Sequence, residues 1–366
     1  MTWFKSIRLP WLARAQKHQI LVCVDLVQDI DVLLPVCIAL RAAGPFTLRF
    51  VVSHWLTEKS PRTALLLTEN GFEFSYASRR KLIDGVLPPL GRAAAVLTAS
   101  ESTHSAHSAC RTLTQRARTA GLRTYVLQHG LENIGLFGVE AKAATFASDT
   151  VFCWYPEDAT PPELPAETRS KLVHAGRPEP VGGWGRGEHP DFDLGIFENL
   201  HWTRYTDAER VAFQDCLAVT AEALPETRIL VRPHPAGAWA DRLSHELARF
   251  ENITLARAVE TRRQRESGAQ ALRGIKRVIT TPSTVALDAA QSGLPTALAL
   301  SGGGVYDPLP VLAGARDWIE FARCDTAAPR SLDLFRSRVL VEGDGTARIV
   351  DRLSRDLARQ SPITHG

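Results

Sequence analysis

The chain has 366 residues, too many for one ordinary hydrophobic core and enough for two domains of roughly 150–200 residues. Hydrophobic residues make up 45% and charged residues 23%, which excludes a disordered tail or a fibre. No apolar run reaches the roughly 18 residues that a membrane-spanning helix needs, and a net charge of +3 is too weak to argue for nucleic acid.

The first 18 residues, MTWFKSIRLPWLARAQKH, stand apart. Trp3, Phe4, Ile7, Leu9, Trp11 and Leu12 alternate with Lys5, Arg8, Arg14 and Lys17. Rings and cations together suit a membrane interface, and the alternative is a strap on the protein's own surface. Pro10 argues against one continuous helix. The segment lacks the long apolar stretch and small-residue cleavage site of a secretory signal. The expected location is therefore cytoplasmic, with peripheral contact at the inner face of the cytoplasmic membrane through residues 1–18.

Strands and helices then alternate. Strands are expected at Gln19–Asp25, Thr47–Ser53, Phe72–Tyr76, Ala94–Ala99, Thr124–Gln128 and Thr150–Trp154. Helices are expected at Val32–Ala43, Pro61–Asn70, Lys81–Leu90 and His104–Ala120, several of them stopped by glycine. A Pro-, Gly- and acid-rich stretch runs from Pro156 to about Pro190 and contains a strand-like Leu172–Ala175; it is the best linker candidate. The alternation restarts with strands at Leu194–Glu198, Arg228–Val231, Ile253–Leu255, Arg277–Thr280 and Pro295–Leu300. Helices are expected at Asp207–Leu224, Asp241–Phe250 and Val285–Ser292, with a charged helix or loop over 260–274. Ile349, Leu353 and Leu357 recur every four residues and mark a last amphipathic helix.

This order predicts an α/β protein with two doubly wound, Rossmann-like domains facing a cleft. The expected division is an N-terminal, acceptor-side domain over 19–170, a linker over 171–190, a C-terminal nucleotide-binding domain over 191–340, and a helix and tail over 341–366. A ligand belongs in the cleft, at the carboxyl ends of the strands. Six scattered cysteines without a CxxC pair read as reduced thiols, several of them in the core, and no metal-ligand spacing is present. Of the 43 basic residues 36 are Arg, the side chain that forks onto carboxylates and phosphates, although biased coding composition gives the same excess.

Two segments of the second half carry chemistry. Arg232–Pro233–His234–Pro235 lies at the end of a strand, where two prolines fix the backbone and Arg232 and His234 suit a phosphate; the bland alternative is a rigid turn. Thr281–Pro282–Ser283–Thr284 also ends a strand and opens a helix, so hydroxyls and free backbone N–H groups converge as at an anion site, or Ser283 simply caps the helix. Asp288, one turn further on, is placed to accept from a ribose hydroxyl or to lie solvated. Gly302–Gly303–Gly304 lets the backbone approach a ligand, with Gly303 at its centre. No G-x-G-x-x-G followed by an acid, no P-loop and no G-x-S-x-G elbow is present, so NAD, P-loop and hydrolase chemistry are not expected.

In the first half, His129 at the end of a strand is a candidate base or a buried structural histidine. Glu101 ends another strand, and Asp29 and Asp31 flank the loop after the first. One carboxylate or histidine suffices to take a proton from a sugar hydroxyl, and the sequence does not choose among His129, Glu101, Asp29 and Asp31.

With these residues in hand, the chain resembles GT-B glycosyltransferases of bacterial surface polysaccharides. The nearest likeness is to capsule-synthesis Kdo transferases, and more loosely to CDP-glycerol glycerophosphotransferases and polysialyltransferases. Their HP and Ser/Thr motifs look like His234–Pro235 and Ser283–Thr284, and SGGGVYDPLPVL resembles a stretch that follows in the capsule group. His129–Gly130 resembles the HG motif of the glycerophosphotransferases, whose His is implicated in catalysis. Asp288 stands where related enzymes often carry Glu, and the polysialyltransferase acidic motif is missing from the N-terminal half. The resemblance implies an inverting, metal-independent transferase of capsule or lipopolysaccharide synthesis. It implies a cytidine-nucleotide donor of the CMP-Kdo kind, a glycan or lipid-linked acceptor and no resident cofactor. Competing expectations are a CDP-glycerol-type transferase, a UDP-sugar 2-epimerase of the same architecture, and a non-catalytic nucleotide- or glycan-binding scaffold.

Overall fold

The structure, a computed structural model, describes residues 18–132, 136, 145–185, 187–234, 237, 239–256, 268–324 and 329–359. Residues 1–17 of the basic aromatic segment, Pro235 and most of the charged 260–274 stretch lie outside these; His18 opens the first strand.

Apolar runs with little side-chain alternation form strands buried on both faces, which is the signature of parallel sheets covered by helices. Seven of them, β1 (His18–Val24), β2 (Phe46–Ser53), β3 (Phe74–Ala77), β4 (Ala93–Thr98), β5 (Arg123–Leu127), β6 (Thr150–Cys153) and β7 (Leu172–His174), form one sheet in the order 3-2-1-4-5-6-7. Five more, β8 (Leu194–Glu198), β9 (Ile229–Pro233), β10 (Ile253–Leu255), β11 (Val278–Thr280) and β12 (Thr296–Leu298), form a second sheet in the order 10-9-8-11-12. Every pairing is parallel. In both sheets the order reverses beside the first strand, between β1 and β4 and between β8 and β11, and a crevice opens at such a switch point.

The helices that matter below are α1 (Asp29–Ala43), α2 (Ser108–Thr119), α3 (Asp207–Ala223), α4 (Thr284–Gln291), α5 (Ala315–Arg323), α6 (Pro329–Val339) and α7 (Gly345–Ala358). Helix α3 begins in a full capping box, in which Thr206 and Glu209 satisfy each other's backbone N–H groups. It buries Phe213 edge-on against Trp318 of α5.

Several elements differ from the sequence reading. The expected helix over Lys81–Leu90 is only Arg79–Ile83, because the chain turns at Gly85 with φ 72° and then meets Pro88–Pro89. The expected helix at Asp241–Phe250 is a tight turn at Trp239–Leu243 followed by a short helix at Ser244–Leu247. Strand β7 falls inside the stretch read as linker and forms the edge of the first sheet. Helices α5 and α6 have no counterpart in the sequence reading.

The chain's last helices return to the first sheet. Leu332, Phe335 and Val339 of α6 and Ile349, Leu353 and Leu357 of α7 share a core with Ile30, Leu33 and Leu40 of α1. Ala286, Leu287 and Ala290 of α4 join the same core, so this helix of the second sheet packs toward the first. Cys23, Cys37, Cys110 and Cys153 are buried thiols, and none of the six cysteines is in a disulfide. Among the described residues, no helix is long and apolar enough to cross a membrane.

Candidate active site

The loop after β5 meets the loops after β8 and β11 across the cleft, through Glu132 and Arg204 and through Leu131 and Thr284. On the first side, three of the four candidate bases turn out to be committed to the fold. Asp29 is fully buried, and its Oδ2 accepts from the N–H groups of Asp25 (3.0 Å) and Leu26 (2.8 Å) while Ser100 Oγ donates to Oδ1. Burial pushes its carboxyl up to about 7, against the pull of these donors. Glu101 is 1% exposed and accepts from Ala147 N (2.9 Å), Ser148 N (3.1 Å), Ser148 Oγ (2.7 Å) and Arg111 (3.3 Å). It therefore pins the segment before β6. Asp31, in the first turn of α1, takes both arms of Arg62. Each of these carboxylates, expected to be available to a substrate, is held by donors of its own domain. The neighbouring Asp25 is equally buried and pairs with Arg79 at 3.2 Å.

His129 is placed differently. It follows β5, is 8% exposed, and its Nδ1 lies 2.6 Å from the carbonyl of Ala99 at the end of β4. A carbonyl only accepts, so Nδ1 carries the proton and Nε2 carries the basic lone pair. Burial lowers this imidazole to about 4, so it is neutral at pH 7. His107 stands edge-on to it with ring centroids 5.3 Å apart. Its Nδ1 bonds to Ser102 Oγ at 2.7 Å, and burial lowers the ring to about 2, so a second neutral imidazole backs the first.

On the second side, His234 follows β9 and Arg232 lies half-buried within its last turn of strand, as the position of the RPHP segment requires. The ring of His234 stacks on that of His201, which follows β8, with centroids 4.7 Å apart and 30° between planes. Burial and the second imidazole lower His234 to about 4. The close approach of His201 explains Gly237: a Cβ there would sit 1.9 Å from the imidazole.

The hydroxyl turn is built from β11 into α4. Thr281 is fully buried; its hydroxyl donates to Asn199 Oδ1 (2.6 Å) and accepts from Asn199 N (3.0 Å), while Asn199 Nδ2 donates to Pro282 O (2.9 Å). Thr281 thus shapes the turn through both bonds of its hydroxyl to Asn199. Ser283 takes the N-cap position with an extended backbone and does not cap the helix; its Oγ lies 3.1 Å from Thr280 Oγ1. Thr284 Oγ1 accepts from Leu131 N at 2.9 Å, across the cleft. Asp288, expected to be open to a ribose hydroxyl or solvent, is instead engaged by a basic side chain. It is 6% exposed and pairs with Arg177 at 2.5 Å, and that guanidinium lies 4.7 Å from the ring centres of both Trp154 and Trp184. Gly303 has φ 59° with open space where a side chain would point, so its backbone conformation, not a contact, calls for glycine. Pro235 lies outside the described residues.

The sequence reading passed over four residues that the geometry brings into the cleft: Glu132, Asn199, His201 and Arg204. The last three sit in one loop, NLHWTRYT, directly after β8. A strand end carrying His, Arg and Trp within six residues was the available signal. Among the described residues, no group of three or more His, Cys, Asp or Glu stands together in a way that could hold a metal ion.

The arrangement can bind an anion on the second side and accept a proton on the first. The half-buried start of α4, which has no side-chain cap, the Ser283 hydroxyl and two imidazoles are groups able to donate to an anion. The Nε2 of His129 is the basic group closest in sequence to the tie between Leu131 and Thr284.

No protein-family model matches the sequence, and no curated protein matches it. Solved structures do. The chain is similar to the glycotransferase of kitacinnamycin (14% identity, TM-score 0.59, covering 93% of this chain and 99% of that one). It is similar to UDP-GlcNAc 2-epimerase from Neisseria meningitidis bound to UDP-GlcNAc (12% identity, TM-score 0.62, 92% and 100%). It is also similar to CalG4, the calicheamicin glycosyltransferase (13% identity, TM-score 0.56, 95% and 100%). At these identities the likeness establishes architecture: two Rossmann-like units facing a cleft, the GT-B fold.

Proposed function

We propose that the chain is an inverting, nucleotide-sugar-dependent glycosyltransferase with its donor on the second sheet and its acceptor on the first. The observation that carries this reading is the direct bond from Leu131 N to Thr284 Oγ1, which brings the loop of His129 onto the hydroxyl turn. A basic nitrogen and an anion site then flank one reaction centre. Arg232, His234, Ser283 and the N-terminal N–H groups of α4 hold the phosphate, whose charge grows as it leaves. His129 Nε2 takes the proton of the attacking hydroxyl, and Ala99 holds the ring in the required tautomer. The protonated imidazole gains from its bond to the Ala99 carbonyl. The charge stabilisation is assigned to the Arg232 cation and to these neutral N–H and O–H donors.

The donor is a cytidine nucleotide sugar of the CMP-Kdo kind and the product a bacterial capsule or lipopolysaccharide glycan. This rests on the likeness of His234–Pro235 and Ser283–Thr284 to the motifs of those transferases. A UDP-sugar 2-epimerase is the second reading, favoured by the TM-score of 0.62 to the meningococcal enzyme. Against it stands the engagement of Asp25, Asp29, Asp31 and Glu101 by donors of their own domain, since epimerisation needs acids around one sugar ring. A thermal-shift panel of CMP, CDP, UDP, UMP, GDP and ADP decides. A ligand that binds only the native state raises the melting point. Stabilisation by CMP or CDP that vanishes in His234→Ala supports the transferase. Stabilisation by UDP alone transfers the case to the epimerase, and silence to every nucleotide sinks both.

A further inference from the structure

Arg204, in the loop after β8, sits between the two halves of the proposed centre. Its Nη1 lies 3.0 and 2.9 Å from the two carboxylate oxygens of Glu132, three residues past His129. Its Nη2 donates to Tyr205 Oη and to the carbonyl of Pro282, both at 2.9 Å, and Pro282 immediately precedes Ser283. The guanidinium lies over the Tyr205 ring, 4.9 Å from its centre. One planar cation therefore joins the His129 loop to the hydroxyl turn, with its plane fixed by an aromatic face. Beside it runs the bond from Leu131 N to Thr284 Oγ1. At Gly130 even a Cβ would come within 3.3 Å of that hydroxyl, so the two loops are in contact along residues 130–132.

We propose that Glu132 and Arg204 are a positioning pair that sets the spacing between His129 and the anion-binding turn. This rests on the transferase reading for its purpose but not for its geometry. Neither side chain is given contact with the reacting atoms. Arg204 is planted on the second domain by three contacts, and Glu132 is the handle by which it holds the first. Lysine is a poor substitute, because a point charge cannot serve a carboxylate, a phenol and a carbonyl in one plane. Spacing matters because misplacing reacting groups by about an ångström can cost a hundredfold in rate.

The test is a double-mutant cycle on the full chain with Glu132→Gln, Arg204→Gln and both together. The first readout is deuterium exchange at the Leu131 amide, which needs no nucleotide. Each single variant is expected to speed exchange about tenfold, and the double variant no further than either. Unchanged exchange in the singles, or effects that multiply in the double, would overturn the pair. The second readout uses the nucleotide sugar that the panel identifies: kcat falls about tenfold while the donor KM stays within threefold. A Glu132→Gln chain that binds CMP or CDP more tightly, with Leu131 exchange unchanged, would also overturn it, because Glu132 would then be competing with the phosphate. If exchange behaves as expected and no nucleotide binds, the clamp stands and the transferase reading falls.

Discussion

The two faces of the cleft use their polar residues in opposite ways. On the first, carboxylates dominate, and they point into their own domain: Asp29 ties the loop after β1, Glu101 ties the segment before β6, and Asp25 and Asp31 each hold an arginine. On the second, one strand-end carboxylate, Glu198, is likewise tied by Leu200 N and Ala240 N, but it stands beside donors: two stacked imidazoles, a hydroxyl at an uncapped helix start, and Arg204 reaching across. The difference teaches that acids at strand ends are as often the struts of a site as its chemistry. What distinguishes them is how many donors each oxygen already serves. By that measure His129 remains a candidate of the first face, its Nε2 oriented by the bond that Nδ1 makes to Ala99.

That contrast can be broken at four places. The largest effect is expected at His129. His129→Ala should lower transfer by roughly 10²–10⁴-fold, the range for a lost general base, and should also cost about 1–3 kcal/mol of stability, because the Ala99 carbonyl loses its buried partner. Nucleotide release under single-turnover conditions measures it, and retained turnover would return the role to an acid. Glu101→Ala should instead cost stability, about 3–5 kcal/mol, because four donors lose a buried partner. A urea titration reads this directly, and a well-folded but inactive variant would restore Glu101 as a candidate base.

Asp29 sharpens the comparison through pH. Its folded value, about 7, lies above the ordinary 3.8, so between these limits the folded chain holds a proton that the unfolded chain has released. The stability it contributes is complete below about pH 4 and is lost as pH rises through 7, on the order of 4 kcal/mol at the limit. Asp29→Asn mimics the protonated acid: Oδ1 can accept from Asp25 and Leu26 while Nδ2 donates to Ser100. The difference in stability between parent and variant should therefore slope with pH from 4 to 7, and parallel curves would refute the shift. The smallest effect belongs to Thr284→Val, which removes the acceptor for Leu131 N and should cost about 1 kcal/mol in the same titration.

Much of the architecture was legible in the sequence because both domains are built from the same short-range grammar. Apolar runs such as ILVCV at β1 and glycine stops such as Gly121 and Gly293 mark each strand and helix end. Strand β8 was read to the residue, and so was β10. What failed was set by tertiary context. Helix α5 went unread although Trp318 anchors it, since its burial comes from Phe213 on a distant helix. The positions of RPHP and of the hydroxyl turn at strand ends were visible. That Thr281 would face Asn199, or that Asp288 would meet Arg177, was not, because each partner lies more than 80 residues away in the chain. The loop after β8 was missed because its residues act through contacts with Glu132 and Pro282 and match no local pattern.

The return of α6 and α7 to the first sheet has a consequence for how the protein is made. Ile349, Leu353 and Leu357 complete a core that includes Ile20, Val22 and Val24 of β1 and Ile30, Leu33 and Leu40 of α1, more than 300 residues earlier in the chain. The first sheet leaves the ribosome with β7 at Leu172–His174, while its last covering helix starts at Gly345. At about 5–20 residues per second, roughly 10–30 s separate the two events. During that interval Ile30, Leu33 and Leu40 face the crowded cell without their cover. The second domain can fold in the meantime, so it is the later-made half that must be finished before the earlier-made one can close. Truncations before Gly345 should therefore reach the cell as aggregates, and nascent chains of that length should be strong clients for chaperones.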